Sequence, residues 1–325
     1  MLSMQNARRD VVLCAAGAFA AFGLDKPVAL IGAATAQGSA EPGFRSQRLG
    51  DIEVITLNDG VIRFPLREGW IRNASTEQTR AALRAADLED TRIDLPFTAT
   101  ALRLRDRIAL VDTGTGGFPI YGPTLGMAAR SMAAAGIERS MVDTVLISHL
   151  HGDHIYGLMD RDTLAPLYPN AEIIVPAAEL RWWAAPGSEA QASGPFRAGL
   201  AERIAATLAR WPNVRRIDGE TEILPGVRVL PAAGHTPGQV IHQVSAGREQ
   251  LLITADVSLL PALFLRNPDW QVGLDLDGAM AAATRRRIFE RAIAEGALVT
   301  GTHWPMPNLG RIVRDGHGYA FTPVT

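Results

Sequence analysis

Residues 146–157 read LISHLHGDHIYG, which puts three histidines and an aspartate, His149, His151, Asp153 and His154, within six positions directly after an apolar run. Packing alone gives no reason for that crowding. On an extended strand the i, i+2 spacing sets His149 and His151 on one side, and a turn through Gly152 brings Asp153 and His154 round to an adjacent position. Neutral imidazole and carboxylate are donors suited to zinc and similar divalent metals, which take about four ligands in closed sites and leave a position for water in catalytic ones. Two neighbouring metal positions could be served, but four residues are too few to complete both, so more ligands are expected elsewhere.

Three further residues answer that need. His235 stands in AAGHTPG after the apolar run VRVLPAA, Asp256 closes LLITAD, and His303 follows ALVTGT. Each ends a strand-like run, where a sheet presents residues to a common edge. Five of the seven histidines fall at these positions, leaving only His242 and His317 over. A lone strand-end histidine is usually a hydrogen-bonded structural residue, but the joint arrangement points to metal.

The segments around these residues set the fold class. DTVLIS, AEIIVP, VRVLPAAG and QLLITAD read as short strands with little polar alternation, each ending in a polar or glycine turn. DIEVITLNDG reads as a strand entering a tight turn at Asn58-Asp59-Gly60, and TATALRLR with IALVDTG as a hairpin around Asp106-Arg107. GPTLGMAARSMAAAG predicts a helix with Pro123 in its first turn and Gly136 as its stop; Pro195–Arg210 and Asp277–Glu295 predict two more. Two groups of strands, each accompanied by helices, predict an α/β fold of two sheets packed face to face with helices outside, a four-layer α/β/β/α sandwich. No linker or repeat divides the chain after about Arg45, so residues 41–325 are expected to form one domain.

Composition narrows the function classes. In 325 residues, 47% apolar, 32 basic and 34 acidic side chains are mixed along the chain, so no electrostatic footprint for nucleic acid is visible. Arg8 and Arg9 precede VVLCAAGAFAAFGL, a 14-residue apolar run too short to span a membrane comfortably, and Ala34-Thr35-Ala36 offers an A-x-A cleavage site. Residues 1–36 are therefore read as an export signal, loosely of the twin-arginine type, with a periplasmic or secreted product that keeps no stable membrane insertion. Cleavage would remove the only lysine, Lys26, and the only cysteine, Cys14, which excludes Schiff-base and thiolate catalysis as well as disulfides.

The H-x-H-x-D-H run from His149 to His154, with His235, Asp256 and His303, resembles the hallmark of the metallo-β-lactamase superfamily. A narrower resemblance, to the methyl parathion hydrolase branch beside the quorum-quenching lactonases, is carried by LGDIEVITLNDG, LVDTGTGG, YGPTLG, AAGIERSMVDTVLISHLHGDH, LPGVRVLPAAGHTPG and GRIVRDGHGYAFTPV. It implies two divalent cations, zinc first among them: one held by His149, His151 and His235, the other by Asp153, His154 and His303, with Asp256 bridging. It further implies a metal-bridging hydroxide that attacks a lactone, aryl ester or organophosphate triester, with Asp153 and Asp256 as the catalytic carboxylates. Tyr121, Trp183 and Phe196 stand where that branch has an aromatic leaving-group pocket, with Phe118 a competitor for the place of Tyr121, and a homodimer is implied by the resemblance alone. Two departures matter. TADVSLL lacks the tyrosine that many of the lactonases place after the bridging aspartate, and Gln239 stands where the related loop has histidine. A glyoxalase-type thioesterase, a β-lactamase and a metal-binding protein with a silent site are the competing readings. Asp112 in VDTG is read either as an acceptor for a ligand histidine or as a turn cap.

Overall fold

The hydrophobic runs sort into three apolar layers, visible in a computed structural model that describes residues 43–191 and 199–324. The first sheet has seven strands in sequential order: β1 (Phe44–Leu49), β2 (Ile52–Pro65), β3 (Arg92–Arg103), β4 (Ile108–Val111), β5 (Val142–Leu146), β6 (Glu172–Pro176) and β7 (Val214–Ile217). The first three pairings are antiparallel, and β4 to β7 run parallel. The second sheet holds β8 (Thr221–Leu224), β9 (Val227–Pro231), β10 (Val240–Ala246), β11 (Glu249–Ile253), β12 (Leu298–Thr300), β13 (Gly310–Asp315) and β14 (Gly318–Pro323), again in sequential order. Only its β11–β12 pair is parallel.

Period-2 alternation assigns each strand residue to a layer. Val54, Leu102, Val111, Leu146 and Ile174 meet Val229, Val244, Leu251 and Leu298 between the sheets. Their chain neighbours Ile55, Ala101, Leu110, Val145 and Ile173 face outward, onto Met132 of the helix Ala128–Ala134 and Ile204 of the helix Leu200–Ala209. On the far side Leu230, Ile241, Leu252 and Val299 pack on Ile288, Phe289 and Ala292 of the helix Gly278–Glu295. That is the expected α/β/β/α sandwich. It also explains why the central strands read as continuously apolar, since both faces are covered. Each fully buried Leu, Ile or Phe in these layers contributes about 1.5–3 kcal/mol. All described residues fall in one compact unit, Ala36–Thr325; the sequence reading of residues 1–36 lies outside the described residues.

Three local expectations are corrected. Asn58-Asp59-Gly60 is not a turn: β2 continues to Pro65, and the register against β3 shifts between Asn58 and Gly60, a β-bulge. The apolar pattern resumes at Val61, so the pairing continues through the glycine. Asp59, wholly buried, accepts from Thr115 N and Oγ1 and from Ala128 N, all at 2.8 Å. Its carboxylate thus ties the bulge to the loop after β4 and to the first residue of the following helix. Second, that helix begins at Ala128 rather than near Pro123, because Gly122 and Gly126 adopt positive φ and Leu125 pairs with Gly60. Third, His149 and His151 lie beyond the end of β5, on a loop that turns into the short helix Gly152–Ile155. The C-terminal helix does match, with Asp277 capping Met280 N and Gly296 closing it at positive φ.

Gly60 has φ +117°, and a Cβ there would stand 2.0 Å from Thr124 O. Gly60→Ala should lower the free energy of unfolding by at least about 2 kcal/mol, as measured by urea denaturation; an unchanged midpoint would contradict the role of the bulge.

Candidate metal centre

Strands β5, β9, β11 and β12 deliver all seven predicted residues from their carboxyl ends. Because β9 and β11 are both antiparallel to β10, they run the same way as each other and as β12, so their ends share an edge. His149 and His151 come from the loop after β5, Asp153 and His154 from the short helix Gly152–Ile155 that follows it, His235 from the loop after β9, Asp256 from the turn after β11 and His303 from the loop after β12.

The inward atoms form two groups, each gathered within 4.8 Å: His149, His151, His235 and Asp256, and Asp153, His154, Asp256 and His303. In the first, His151 Nδ1 lies 3.0 Å from His149 Nε2 and 3.1 Å from His235 Nε2, and Asp256 Oδ2 lies 3.3 Å from His235 Nε2. In the second, His154 Nε2 lies 3.3 Å from Asp153 Oδ2 and 3.3 Å from Asp256 Oδ1, and His303 Nε2 lies 3.4 Å from Asp153 Oδ2 and 3.2 Å from Asp256 Oδ2. Asp256 belongs to both.

Outer partners fix the imidazoles. His154 Nδ1 donates to Asp112 Oδ2 at 2.8 Å, His235 Nδ1 to Asp275 Oδ1 at 2.9 Å and His303 Nδ1 to Pro96 O at 2.8 Å. These oxygens only accept, so the outward nitrogen carries a hydrogen and the inward one is the atom left to take up a proton or a cation. Ser148 Oγ donates to Asp112 Oδ2 at 2.7 Å and stands 3.1 Å from His149 Nδ1, while Ser148 N donates to Asp112 Oδ1. Asp112 therefore holds one histidine of each group, His154 directly and His149 through Ser148. Of its two sequence readings, the acceptor for a ligand histidine is the one found.

The donor set fits a pair of divalent cations. His151 Nδ1 has at most one hydrogen to give and so cannot donate to both neighbouring nitrogens, and His154 Nε2 and Asp256 Oδ1 are buried without hydrogen-bond partners. Four ligands at about 2.0–2.1 Å around zinc lie about 3.3 Å from one another, close to the spacings found. Electrostatics agree. Burial resists charge on every member, yet Asp153 and Asp256 are held well below the usual carboxylate range by the histidines His154 and His303. Burial likewise opposes protonation of His235 and His303, but Asp256 with Asp275, and Asp256 with Asp153, push them up to about 9 and about 10. Burial and neighbouring histidines take His149 well below its ordinary value and His151 to about 3. The carboxylates thus demand positive charge at the inward atoms, which protons supply on some histidines and cations would supply better.

Above the cluster opens a cavity of about 520 Å³ with His151, Asp153, His235, Asp256 and His303 at its floor. Phe64, Trp70, Leu95, Phe97, Leu200 and Leu274 give it apolar walls. Tyr121 lines it too, its hydroxyl 3.5 Å from Asp153 Oδ1, directly over Gly152, where a Cβ would stand 2.5 Å from that oxygen. Trp183 sits with its ring 6.1 Å from that of His151, its Nε1 bonded to Glu179, and faces a groove against the helix Leu200–Ala209 rather than the cavity. Phe118 packs on Tyr156 at 4.6 Å and is not among the lining residues. Phe196 lies outside the described residues. Gln239 is buried, its Nε2 donating to Ala232 O at 3.3 Å. The sequence reading missed Ser148, which closes an apolar strand, and Asp275 and Glu179, whose segments carry no local sign of burial.

A profile of the metallo-beta-lactamase superfamily matches residues 95–303. Among solved structures, AidC, a dizinc quorum-quenching lactonase in complex with a product, is similar at 24% identity and a TM-score of 0.80 over 88% of this chain and 99% of that one. AbOPH, a hydrolase in the beta-lactamase superfamily, is similar at 24% identity and 0.78 over 87% and 98%. A quorum-quenching N-acyl homoserine lactone lactonase follows at 18% identity and 0.55 over 80% and 94%. At these identities the likeness is one of fold. No curated protein sequence matches the chain.

A coordinated imidazole nitrogen carries no proton. Since His235 and His303 hold protons up to about 9 and about 10 in the metal-free protein, zinc uptake at pH 7 should release protons, and affinity should rise as pH climbs toward those values. Calorimetric titration in two buffers of different ionisation enthalpy checks this; proton-neutral binding would contradict it.

Proposed function

The chain belongs to the metallo-β-lactamase superfamily, and on that premise we propose that it is a dinuclear, zinc-dependent hydrolase of uncharged substrates: lactones, aryl esters and phosphotriesters. The observation that carries the reading is the charge balance of the site. Four carboxylates, Asp112, Asp153, Asp256 and Asp275, lie in or directly against the cluster, enough to neutralise two divalent cations. Among the lining residues Arg67 is the one arginine, and it is exposed at the rim beside Glu68. Among the described residues nothing within the cavity is left over to attract an anion, whereas its apolar walls suit an acyl or aryl group.

His149, His151 and His235 with Asp256 would hold one cation, and Asp153, His154 and His303 with Asp256 the other. When bound, such a pair would supply Lewis acidity toward a carbonyl or phosphoryl oxygen and lower the pKa of a water to about 7. The chain's own groups do the positioning. Asp256 reaches into both ligand groups and fixes their separation. Asp153, which faces the cavity with one oxygen toward Tyr121, orients the attacking water. The Tyr121 phenol, with its pKa raised well above the ordinary value by burial and by Asp153, stays protonated and able to donate to substrate oxygen. It supports ester and lactone cleavage in place of the phenol missing after Asp256. Phe97, edge-on to the His303 ring at 4.6 Å, keeps water from that side of the floor. Export of the enzyme on residues 1–36 belongs to the same proposal, supported by Arg8-Arg9, the apolar run and the A-x-A site.

Zinc-loaded protein should hydrolyse p-nitrophenyl acetate, a γ-lactone and a neutral phosphotriester, lose turnover on chelation and regain it with metal. Asp256→Ala should lower kcat/KM by at least about 100-fold. p-Nitrophenyl phosphate and β-lactams, both anionic, should be poorer than the neutral ester by at least about 10-fold in kcat/KM; comparable values on either would sink the proposal.

A further inference from the structure

Glu179 is a buried carboxylate near the centre that neither lines the cavity nor touches a histidine ring. It lies in the helix Ala177–Trp183, directly after β6, and is wholly buried. Among the described residues no basic side chain pairs with it. Its oxygens instead accept three N–H groups: Gly238 N on Oε1 at 2.8 Å, and Leu150 N and Trp183 Nε1 on Oε2 at 3.1 and 3.2 Å. Leu150 sits between His149 and His151, on a loop of the first sheet. Gly238 lies three residues after His235, on a loop of the second. A Cβ on Gly238 would stand 2.4 Å from Glu179 N, so that loop is pressed against the helix backbone itself.

A buried carboxylate is costly, and an apolar side chain would pack the same space more cheaply. What an apolar residue lacks is two acceptor oxygens spaced to hold two loops at once. A glutamine has only one acceptor, and its amide nitrogen would face an N–H. We propose that Glu179 is a positioning residue that sets His149 and His151 against His235, and thereby the affinity of that ligand group for its cation. The inference rests on the reading of the cluster as a two-metal centre. It predicts a selective effect, because the other group is held by different contacts, His154 by Asp112 and His303 by Pro96 O.

The test is titration of the full metal-free chain with cobalt(II), read by the visible absorption of the bound ion and by competition with a chelator. The unmodified chain should take up two equivalents; uptake of none would overturn the metal reading itself, and this inference with it. Glu179→Gln should keep the far-UV circular dichroism of the parent and bind one ion as tightly as the parent. It should bind the other about 10–100-fold more weakly, with a changed visible band. Equal weakening of both ions, or affinities and spectrum unchanged from a parent that binds two, would overturn the role of Glu179 and leave the metal centre standing. Should the glutamine variant not accumulate in folded form, Glu179→Asp, which keeps the charge but shortens the reach between the loops, carries the same expectations.

Discussion

Carboxylates packed among imidazoles at the meeting edge of two sheets are tolerable only if positive charge sits among them. Asp256 faces inward with hardly any solvent, Asp153 stands half-buried at the cavity floor, and Asp112 and Asp275 back them from outside. A low-dielectric site cannot leave four such groups uncompensated. The raised affinity of His235 and His303 for protons shows how strongly the arrangement draws in cations. The outward bonds to carboxylate and carbonyl oxygen keep the inward nitrogens available. Metal chemistry therefore follows from the electrostatics of the scaffold as much as from the ligand types.

The sandwich makes that arrangement affordable. Strands covered on both faces are rigid supports, and four of them end at one edge, so short loops suffice to bring residues 149 and 303 together. The loops are in turn tied across the sheets: Val240 N bonds to Ser148 O at 3.0 Å, and Glu179 takes a backbone N–H from each side. Rigidity of this kind suits a centre whose ligands must stay within a few tenths of an ångström of a working geometry.

Much of this was legible in the sequence, for physical reasons. His149, His151, Asp153 and His154 stand out because no packing rule places them together, and His235, Asp256 and His303 because each interrupts the end of an apolar run. The layers were legible because doubly covered strands lose polar alternation. Tertiary partners were not. Asp59, Glu179 and Asp275 look like ordinary acids of a turn, a helix and a loop, and only the folded chain shows that they bind N–H groups or a histidine far away in sequence. The helix near Pro123 was misjudged for a related reason, since Leu125 is drawn into pairing with Gly60 from a distant strand.

The bulge at Asp59 has a bearing on how this cavity can change. Along β3, the odd-numbered residues from Ile93 to Ala101 stay on the helix-facing side throughout. On β2 that side is taken by Ile55 and Leu57 before the bulge but by Ile62 and Phe64 after it; the single extra residue reverses the parity. Pairing β2 to β3 without the bulge at unchanged chain length would turn Arg63 toward the site where Ile62 and Phe64 now stand, exchanging an oily wall for a cationic one, whereas loss of Asp59 itself would leave Gly60 opposite Phe97 and the wall as it is. The one extra residue at Asp59 thus decides which half of the alternating side chains of β2 a ligand meets, and keeps Arg63 beside Asp94 on the other side.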